Sequence, residues 1–273
     1  MKVSKRSQQR MKCMLVQHRH EKILELLAQE NTISLQELVS NIDASESTLR
    51  RDLVALEEDG LLTRVHGGAT LSRDIGKEQK MSQKENINQE TKGNIAAYAK
   101  NLVQPDTQIY IDAGTATLEL VRVLPTTINL HLVTNGIDHA LLALQRGIEV
   151  TLLGGSVKRN THAIAGMTAY KQLEKYNFSL SFIGMNGLSH PEGLTTTNIE
   201  EAGLKERAMH QSQKIRILMD DSKIDHVFEF KVEAPTQAII LLNNEAKEEH
   251  SKSIKTIGEQ YDLYFVDEDK DNR

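Results

Sequence analysis

Cysteine is nearly missing from this chain: Cys13 stands alone among 273 residues. One cysteine excludes a disulfide framework and any zinc module built on several cysteines, and it fits a reducing cytoplasm. Long apolar runs are missing too. Ala238-Ile-Ile-Leu-Leu242 is among the longest, far short of the roughly 20 residues that a membrane span needs. The basic start is not followed by the apolar core of a signal peptide. Secreted, membrane-spanning and collagen-like classes are excluded on these grounds. Positive charge is also in deficit, with 33 Lys+Arg against 38 Asp+Glu and a net charge of −5. Taken whole, that balance argues against nucleic acid. At about 150 residues per domain, the length predicts two domains.

The average conceals an asymmetry. Lys2, Lys5, Arg6, Arg10, Lys12 and Arg19 fall within residues 1–20 with no acid among them. Residues 1–75 carry 11 basic and 11 acidic side chains, so the remaining 22 and 27 after residue 75 hold the whole deficit. Two halves of different sign point to different partners.

From Arg19 to His66 the pattern is regular. Ile23, Leu26 and Leu27 mark a first helix, which Asn31-Thr32 breaks. Ser34-Leu-Gln-Glu37 is a capping box that opens a second helix, along which Leu35, Leu38, Val39 and Ile42 form an apolar stripe. After the turn at Asp43-Ala44, Ser45 or Ser47 caps a third helix. At 100° per residue, with Leu49 at 0°, Leu53 falls near about 40° and Leu56 near about −20°. Ser47, Arg50, Arg51 and Val54 take the opposite face, between about 100° and 200°. The acids Glu57, Glu58 and Asp59 gather at the far end. A helix that presents its first turns to DNA needs this polarity, because phosphates attract arginine and repel carboxylates. Gly60 ends the helix. Leu61 to Ala69 then reads as two short strands around a glycine turn, a wing in which Arg64 and His66 face phosphate or the minor groove.

His20-Glu-Lys-Ile-Leu, Ser45-Glu-Ser-Thr-Leu-Arg-Arg-Asp-Leu53 and Glu58-Asp-Gly-Leu-Leu-Thr-Arg-Val-His-Gly-Gly-Ala69 closely resemble the winged helix-turn-helix of DeoR-family bacterial transcription regulators. The resemblance implies that the helix bearing Ser45, Ser47, Thr48, Arg50 and Arg51 reads double-stranded operator DNA. It implies the wing role for Arg64, His66, Gly67 and Gly68. Family members usually begin a few residues before the first helix, so translation from Met11 or Met14 is expected, with residues 1–13 dispensable.

Beyond a polar connector, β-rich runs alternate with helix-period stretches. The runs are 108–112, 130–134, 150–153, 178–183, 215–218, 238–242 and 262–266, and helices are expected over 95–103 and 115–124. Alternation predicts an α/β domain with a mostly parallel sheet, whose ligands sit beyond the carboxyl ends of strands. Asp112-Ala-Gly-Thr-Ala-Thr117 follows a strand and opens a helix. Gly114 admits a close approach, Thr115 and Thr117 offer hydroxyls beside Ala116, and the free amides suit a phosphate. This is neither a Walker loop nor a GxGxxG turn. Three further strand ends carry Thr134-Asn135-Gly136, Gly154-Gly155-Ser156 and Gly184-Met-Asn186-Gly187, with Thr195 close behind. Four such ends are better explained by a ligand pocket than by four unrelated turns. Lys205 and Lys223 are candidate cations. The bland reading of Glu201 and Lys205, at i and i+4, is a surface ion pair. Asp220-Asp221 reads as a strand-end turn, and the scattered histidines do not suggest a metal site.

Here the resemblance to the DeoR family continues, through Ile111 to Leu120, Val133-Thr-Asn135, Leu152-Leu-Gly-Gly155, Gly193-Leu-Thr-Thr196, Glu200 to Lys205 and Asp221-Ser-Lys223. It implies a Rossmann-like sensor related to ribose-5-phosphate isomerase, one that binds a phosphorylated sugar and thereby releases the operator. It implies no cofactor, and it implies a dimer or tetramer. The organisation expected is a basic extension over 1–17, a winged helix-turn-helix over 18–72, a linker over 73–90, a sensor over 91–267 and a tail over 268–273. A sugar-phosphate isomerase or deaminase with an appended DNA module is the rival. Asn186 stands where the related isomerases carry an acid, and an amide cannot serve as a general base.

Overall fold

The computed structural model describes residues 16–30, 32–58, 62–65, 67–71, 81 and 87–267. Residues 1–15 of the basic extension, the greater part of the linker, His66 and the 268–273 tail lie outside the described residues. The chain folds as two compact units, Met1–Lys77 and Glu78–Arg273.

The first unit runs α1 (Val16–Glu30), β1 (Thr32–Ser34), α2 (Leu35–Asn41), α3 (Glu46–Glu58), β2 (Leu62–Val65) and β3 (Gly68–Leu71). Ile23, Leu27, Leu38, Ile42, Leu49, Leu53, Leu56 and Leu62 are buried together, which is the core the periodicity predicts. Both halves of the capping box form: the Glu37 N–H donates to Ser34 Oγ at 3.2 Å and the Ser34 N–H to Glu37 Oε2 at 2.7 Å. Val39 departs from the expected stripe and is 42% exposed. The helix ends at Asn41, and Ile42, in extended conformation, turns into the core in its place. Thr32–Ser34 forms a strand rather than a plain break, pairing with β3 in a sheet of order β1-β3-β2. Three residues are too few to show an alternation, so this strand is defined by its partner.

The wing is tight. Val65 pairs with Gly68, and between them Gly67 takes φ +84°. A Cβ on Gly68 would lie 2.2 Å from the Ile33 carbonyl oxygen of β1.

The second unit is a three-layer α/β structure. Its central sheet holds β4 (Thr107–Ile111), β5 (Leu130–Thr134), β6 (Glu149–Leu152), β9 (Phe178–Gly184), β12 (Ser212–Leu218), β14 (Ala238–Asn243) and β15 (Asp262–Val266). All seven are parallel, in the order β15-β14-β12-β9-β4-β5-β6. Each predicted run coincides with one of these strands. Central residues alternate between two apolar layers. Ile109, Ile111, Leu180, Phe182 and Leu241 pack with α4 (Gln89–Ala99) and α5 (Thr115–Val123). Tyr110, Ile183, Ile217, Ile240 and Leu242 pack with α7 (Met167–Leu173) and α8 (Ile199–His210). Burial on both faces is why these strands read as near-continuous apolar runs. The helix α6 (Ile137–Gln145) follows β5. A hairpin of β7 (Ser156–Val157) and β8 (Ile164–Ala165), and a small antiparallel sheet of β10 (Gly187–Ser189), β11 (Gly193–Thr196) and β13 (Phe230–Lys231), complete the unit together with α9 (Ala246–Glu249) and α10 (Ser251–Ile257).

The chain leaves β4 toward β5 and β6 on one side and returns by β9 toward β12 on the other. The order therefore reverses between β4 and β9, and a crevice opens at that point beyond the carboxyl ends of the strands.

Gly68→Ala is expected to cost the first unit about 3 kcal/mol or more, because the clash is with backbone and not with a flexible side chain. Gly67→Ala should cost about 1–2 kcal/mol, the penalty of a left-handed residue. Denaturant melts would show this order; equal losses would contradict it.

Candidate functional site

Two surfaces carry chemistry, one in each unit. In the first, α3 projects Ser47, Arg50 and Arg51 to solvent while Leu49, Leu53 and Leu56 are buried. Ser45 is the cap, its Oγ accepting from the Thr48 N–H at 3.2 Å. Ser47 sits inside the first turn. Arg50 Nη2 lies 2.6 Å from Glu46 Oε1, an exposed i, i+4 pair that holds by only a few tenths of a kcal/mol. Arg51 Nε donates to the Ser47 carbonyl at 3.3 Å. Both guanidiniums thus have partners that a phosphate or a base can replace.

Beneath that face lies a pair that the apolar periodicity does not reveal. Arg19 and Asp52 are each 5% exposed. Arg19 Nε and Nη2 donate to the two Asp52 oxygens at 2.8 and 3.0 Å, and His20 Nε2 lies 3.3 Å from Oδ1. This fork locks α1 to the helix bearing Arg50 and Arg51. On the wing, Arg64 is committed to α3: its backbone N–H reaches Glu57 Oε1 at 2.9 Å and its Nε reaches Oε2 at 2.7 Å. The acid at the far end of α3 therefore braces the wing. Gly67 and Gly68 form the turn and the start of β3, and His66 lies outside the described residues.

In the second unit a cavity occupies the switch-point crevice. It is lined by Ala113, Gly114, Thr115 and Ala116 after β4, by Gly184, Met185 and Asn186 at the end of β9, and by Leu218, Met219, Asp220 and Lys223 at the end of β12. Glu201 and Lys205 of α8, Thr161 and Met81 close it. Gly114 caps α5 with no side-chain hydrogen bond, so the first amides of the helix point outward without intrahelical partners.

A buried ion pair forms the floor. Lys205 Nζ donates to Asp112 Oδ2, with 3% and 1% of the two residues exposed. The Gly184 N–H donates to the same oxygen at 3.2 Å. Burial pushes the Asp112 carboxyl above its ordinary range, and the Lys205 ammonium with the amides of Gly184 and Ala113 pulls it back. The surface-pair reading of Glu201 and Lys205 is thereby corrected: both are buried, at 6% and 3% exposure, because α8 lays this face against the sheet. Glu201 Oε1 accepts from Thr161 Oγ1 at 3.0 Å. Burial alone would raise the Asp220 carboxyl, yet Lys223, hydrogen bonds from Ser222 and Asn88, and Lys92 together hold it below its ordinary range.

The predicted ligand residues separate into two groups. Gly114, Thr115, Ala116, Asn186, Lys205 and Lys223 meet at the cavity, with Asp112 directly behind Lys205. Thr117, Thr134, Asn135, Gly154, Gly155 and Thr195 do not line it. Thr117 Oγ1 lies 2.6 Å from the Asp112 carbonyl and 2.9 Å from that of Gly114, so its proton is committed inside the loop. Thr134 Oγ1 accepts from the Gly136 N–H at 3.0 Å. Asn135 Oδ1 accepts from the Ala113 N–H at 2.8 Å and the Tyr110 hydroxyl at 3.1 Å, bracing the β4 loop from below. The Gly154 N–H donates to Gln172 at 2.8 Å, Gly155 lies against the Ala165 carbonyl, and Thr195 Oγ1 accepts from the Phe228 N–H at 3.1 Å. For Thr134, Asn135, Gly154 and Gly155 the reason is strand order, since the ends of β5 and β6 lie outside the crevice, whereas Thr195 belongs to β11 of the small sheet and Thr117 turns its hydroxyl into its own loop. Thr161, Met219 and Met81 are cavity residues that no sequence pattern marks, and Asp220 reads in sequence only as part of a turn.

Under the β4 loop sits His139 of α6, 1% exposed, with Nε2 3.1 Å from Thr117 Oγ1. Burial is the main cause that lowers its pKa to about 4, so the imidazole is neutral at pH 7.

Comparison with known proteins covers both units. Residues 19–74 match the family of the DeoR-like helix-turn-helix domain, and residues 87–243 match that of the DeoR C terminal sensor domain. The uncharacterized HTH-type transcriptional regulator FruR of Bacillus subtilis is 39% identical over 214 residues, covering 78% of this chain and 85% of that protein. The lactose phosphotransferase system repressor of Lactococcus lactis is 33% identical over 211 residues, covering 76% and 82%. Among solved structures, the full-length sorbitol operon regulator SorC of Klebsiella pneumoniae aligns with a TM-score of 0.39 at 13% identity, over 87% of this chain and 99% of that one.

His139 gives the cavity unit a pH dependence of definite sign. Its folded pKa lies below the unfolded value, so between about 6.5 and about 4 the unfolded chain binds a proton that the folded one refuses. Stability is expected to fall across that window by up to about 3 kcal/mol from this group as pH drops. His139→Gln should show a smaller loss in urea melts compared at about pH 7 and about pH 4.5, and an unchanged loss would refute the assignment.

Proposed function

Because the chain belongs to the DeoR family of transcriptional regulators, we propose that it represses a sugar-utilisation operon and leaves its operator when a phosphorylated sugar fills the switch-point cavity. It acts as a regulator and not as a sugar-phosphate isomerase or deaminase, as its relatives do. The observation that carries the effector reading is the cavity itself. An uncapped helix N-terminus, two lysines and hydrogen-bonding side chains converge at one strand-order reversal.

In this reading the effector's phosphate accepts from the amides of Gly114 to Ala116 and from the Thr115 hydroxyl, with Lys223 and Lys205 supplying positive charge. Asn186, Thr161 and Glu201 are left for sugar hydroxyls. Asn186 is held by Thr196, whose Oγ1 donates to its Oδ1 at 2.8 Å, and hydrogen bonding is all that sensing asks of it. Ser47, Thr48, Arg50 and Arg51 meet the major groove of operator DNA, and Ser45 and the Arg64–Gly68 wing flank it. A dimer or tetramer places recognition helices in successive grooves. The protein works in the cytoplasm; among the described residues no helix is long and apolar enough to cross a membrane. The effector acts by preferring the arrangement that binds DNA poorly.

In gel shifts on the protein's own promoter, Arg50→Ala and Arg51→Ala are each expected to weaken binding at least about tenfold, the cost of one lost contact of about 1–3 kcal/mol. Melting should be unchanged, and undiminished affinity would refute the assigned face. Release by one member of a sugar-phosphate panel is expected, and Thr115→Val should abolish it. Normal release from that variant would count against the phosphate loop.

A further inference from the structure

Asp221, Glu249 and His250 converge beside the cavity, and none of them lines it. Asp221 follows β12 and opens the short turn Asp221–Lys223. Glu249 ends α9, and His250 joins α9 to α10. One donor atom from each of the three lies within 4.8 Å of the other two. Two of the donors are supported from behind. Asn243, 6% exposed at the end of β14, donates from Nδ2 to Asp221 Oδ1 at 2.8 Å and accepts the Asp221 N–H at 2.9 Å. Asp225 Oδ2 lies 3.3 Å from His250 Nδ1 and accepts from Ser253 Oγ at 2.9 Å. A carboxylate against an imidazole, and an amide on a carboxylate, are the contacts that orient metal ligands. Glu249 differs from both. Among the described residues its carboxylate has no hydrogen-bond or ion-pair partner, yet it stands against the Asp221 carboxylate and an imidazole. Like charges so placed repel unless a cation lies between them.

We propose that Asp221, Glu249 and His250 bind one divalent transition-metal ion such as zinc. An imidazole nitrogen beside two carboxylates favours such an ion over magnesium or calcium, which take oxygen donors. Zinc sits about 2.0–2.2 Å from nitrogen and oxygen donors, so its ligands stand about 3–4 Å apart. Glu249 is exposed, and rotation of its side chain closes the remaining gap. Three protein ligands leave a position for water. The ion ties the junction of α9 and α10 to the end of β12, where Asp220 and Lys223 flank Asp221 and line the cavity. No spacing motif marks the set, because Asp221 is distant in the chain from Glu249 and His250. The inference stands apart from the effector reading.

The test uses the full chain carrying Cys13→Ser, which removes the one thiol as a competing ligand, stripped of metal with a chelator. Equilibrium dialysis against zinc chloride is expected to load about one ion per chain. An excess of magnesium of about a hundredfold should not displace it. His250→Gln and Glu249→Gln should each weaken binding at least about tenfold, and Asp225→Asn, which only orients the ring, by about tenfold. Zinc should raise the melting temperature of the parent and leave that of the double variant unchanged. Zinc binding that is undiminished in His250→Gln or in Glu249→Gln overturns the site and shows an adventitious ion only. Displacement by magnesium overturns it as well, since oxygen donors alone then account for the binding. Failure to load zinc overturns it outright.

Discussion

The buried contact between Asp112 and Lys205 is the constraint on which the sensing unit depends. It joins three elements: Asp112 follows β4, Lys205 rises from α8, and the Gly184 amide of β9 shares the same carboxylate oxygen. Two charges removed from water are costly unless each is matched, and such pairs are weak evidence for stability in themselves. Geometry is what this pair supplies. It fixes β4 and β9 at the point where strand order reverses, and so holds the crevice to one shape. Asp112 balances part of Lys205's charge from behind. In the proposed reading an anion at the cavity meets that lysine together with helix amides and the Lys223 ammonium. Such a site recognises by arrangement more than by net charge.

The DNA-binding unit repeats the device at smaller scale. Asp52 follows directly on Arg51, yet it points the other way, into a fork with Arg19 that is as buried as the leucines beside it. In the proposed reading a carboxylate on α3 would repel DNA if it faced outward. Turned inward, it orients the helix and leaves the outer face with Ser47, Arg50 and Arg51. Glu57 is treated similarly, tied up by Arg64 of the wing. On α3 the neutral total of residues 1–75 thus conceals a sorting of charge, with Asp52 and Glu57 used for bracing and Arg50 and Arg51 exposed.

Much of this is legible from residues. Leu49, Leu53 and Leu56 reveal their face because helix period is a local property, and Ser34 with Glu37 cap their helix through contacts three residues apart. The inner strands of the parallel sheet show as apolar runs because both faces are covered, while the edge strands β6 and β15 are partly exposed. The ligand site is only half legible. Every strand end with glycine, asparagine or hydroxyls looks alike in sequence, and which ends are neighbours depends on the order β9-β4-β5-β6, which no local pattern encodes. Hence Asn186 and Thr115 meet at the cavity, while Asn135 and Thr134, similar in chemistry, became struts for the loop. Lys205 reads as a cation, but its partner is 93 residues away, beyond any i, i+4 rule.

The hydrogen bonds under the β4 loop bear on how a signal leaves the cavity. Thr117 and Asn135 fasten that loop from within, and His139 is neutral and buried against Thr117. Close packing of this kind does not deform continuously. The lysines and acids of that wall stand on α8 and at the end of β12, elements packed into the sheet. Met81 and the Asn160–Thr161 turn meet through the Met81–Asn160 backbone hydrogen bond, and Thr161 contacts Glu201. The β4 loop is therefore the braced side of the cavity, tied through Thr117 and Asn135 to the strands and helix beneath it.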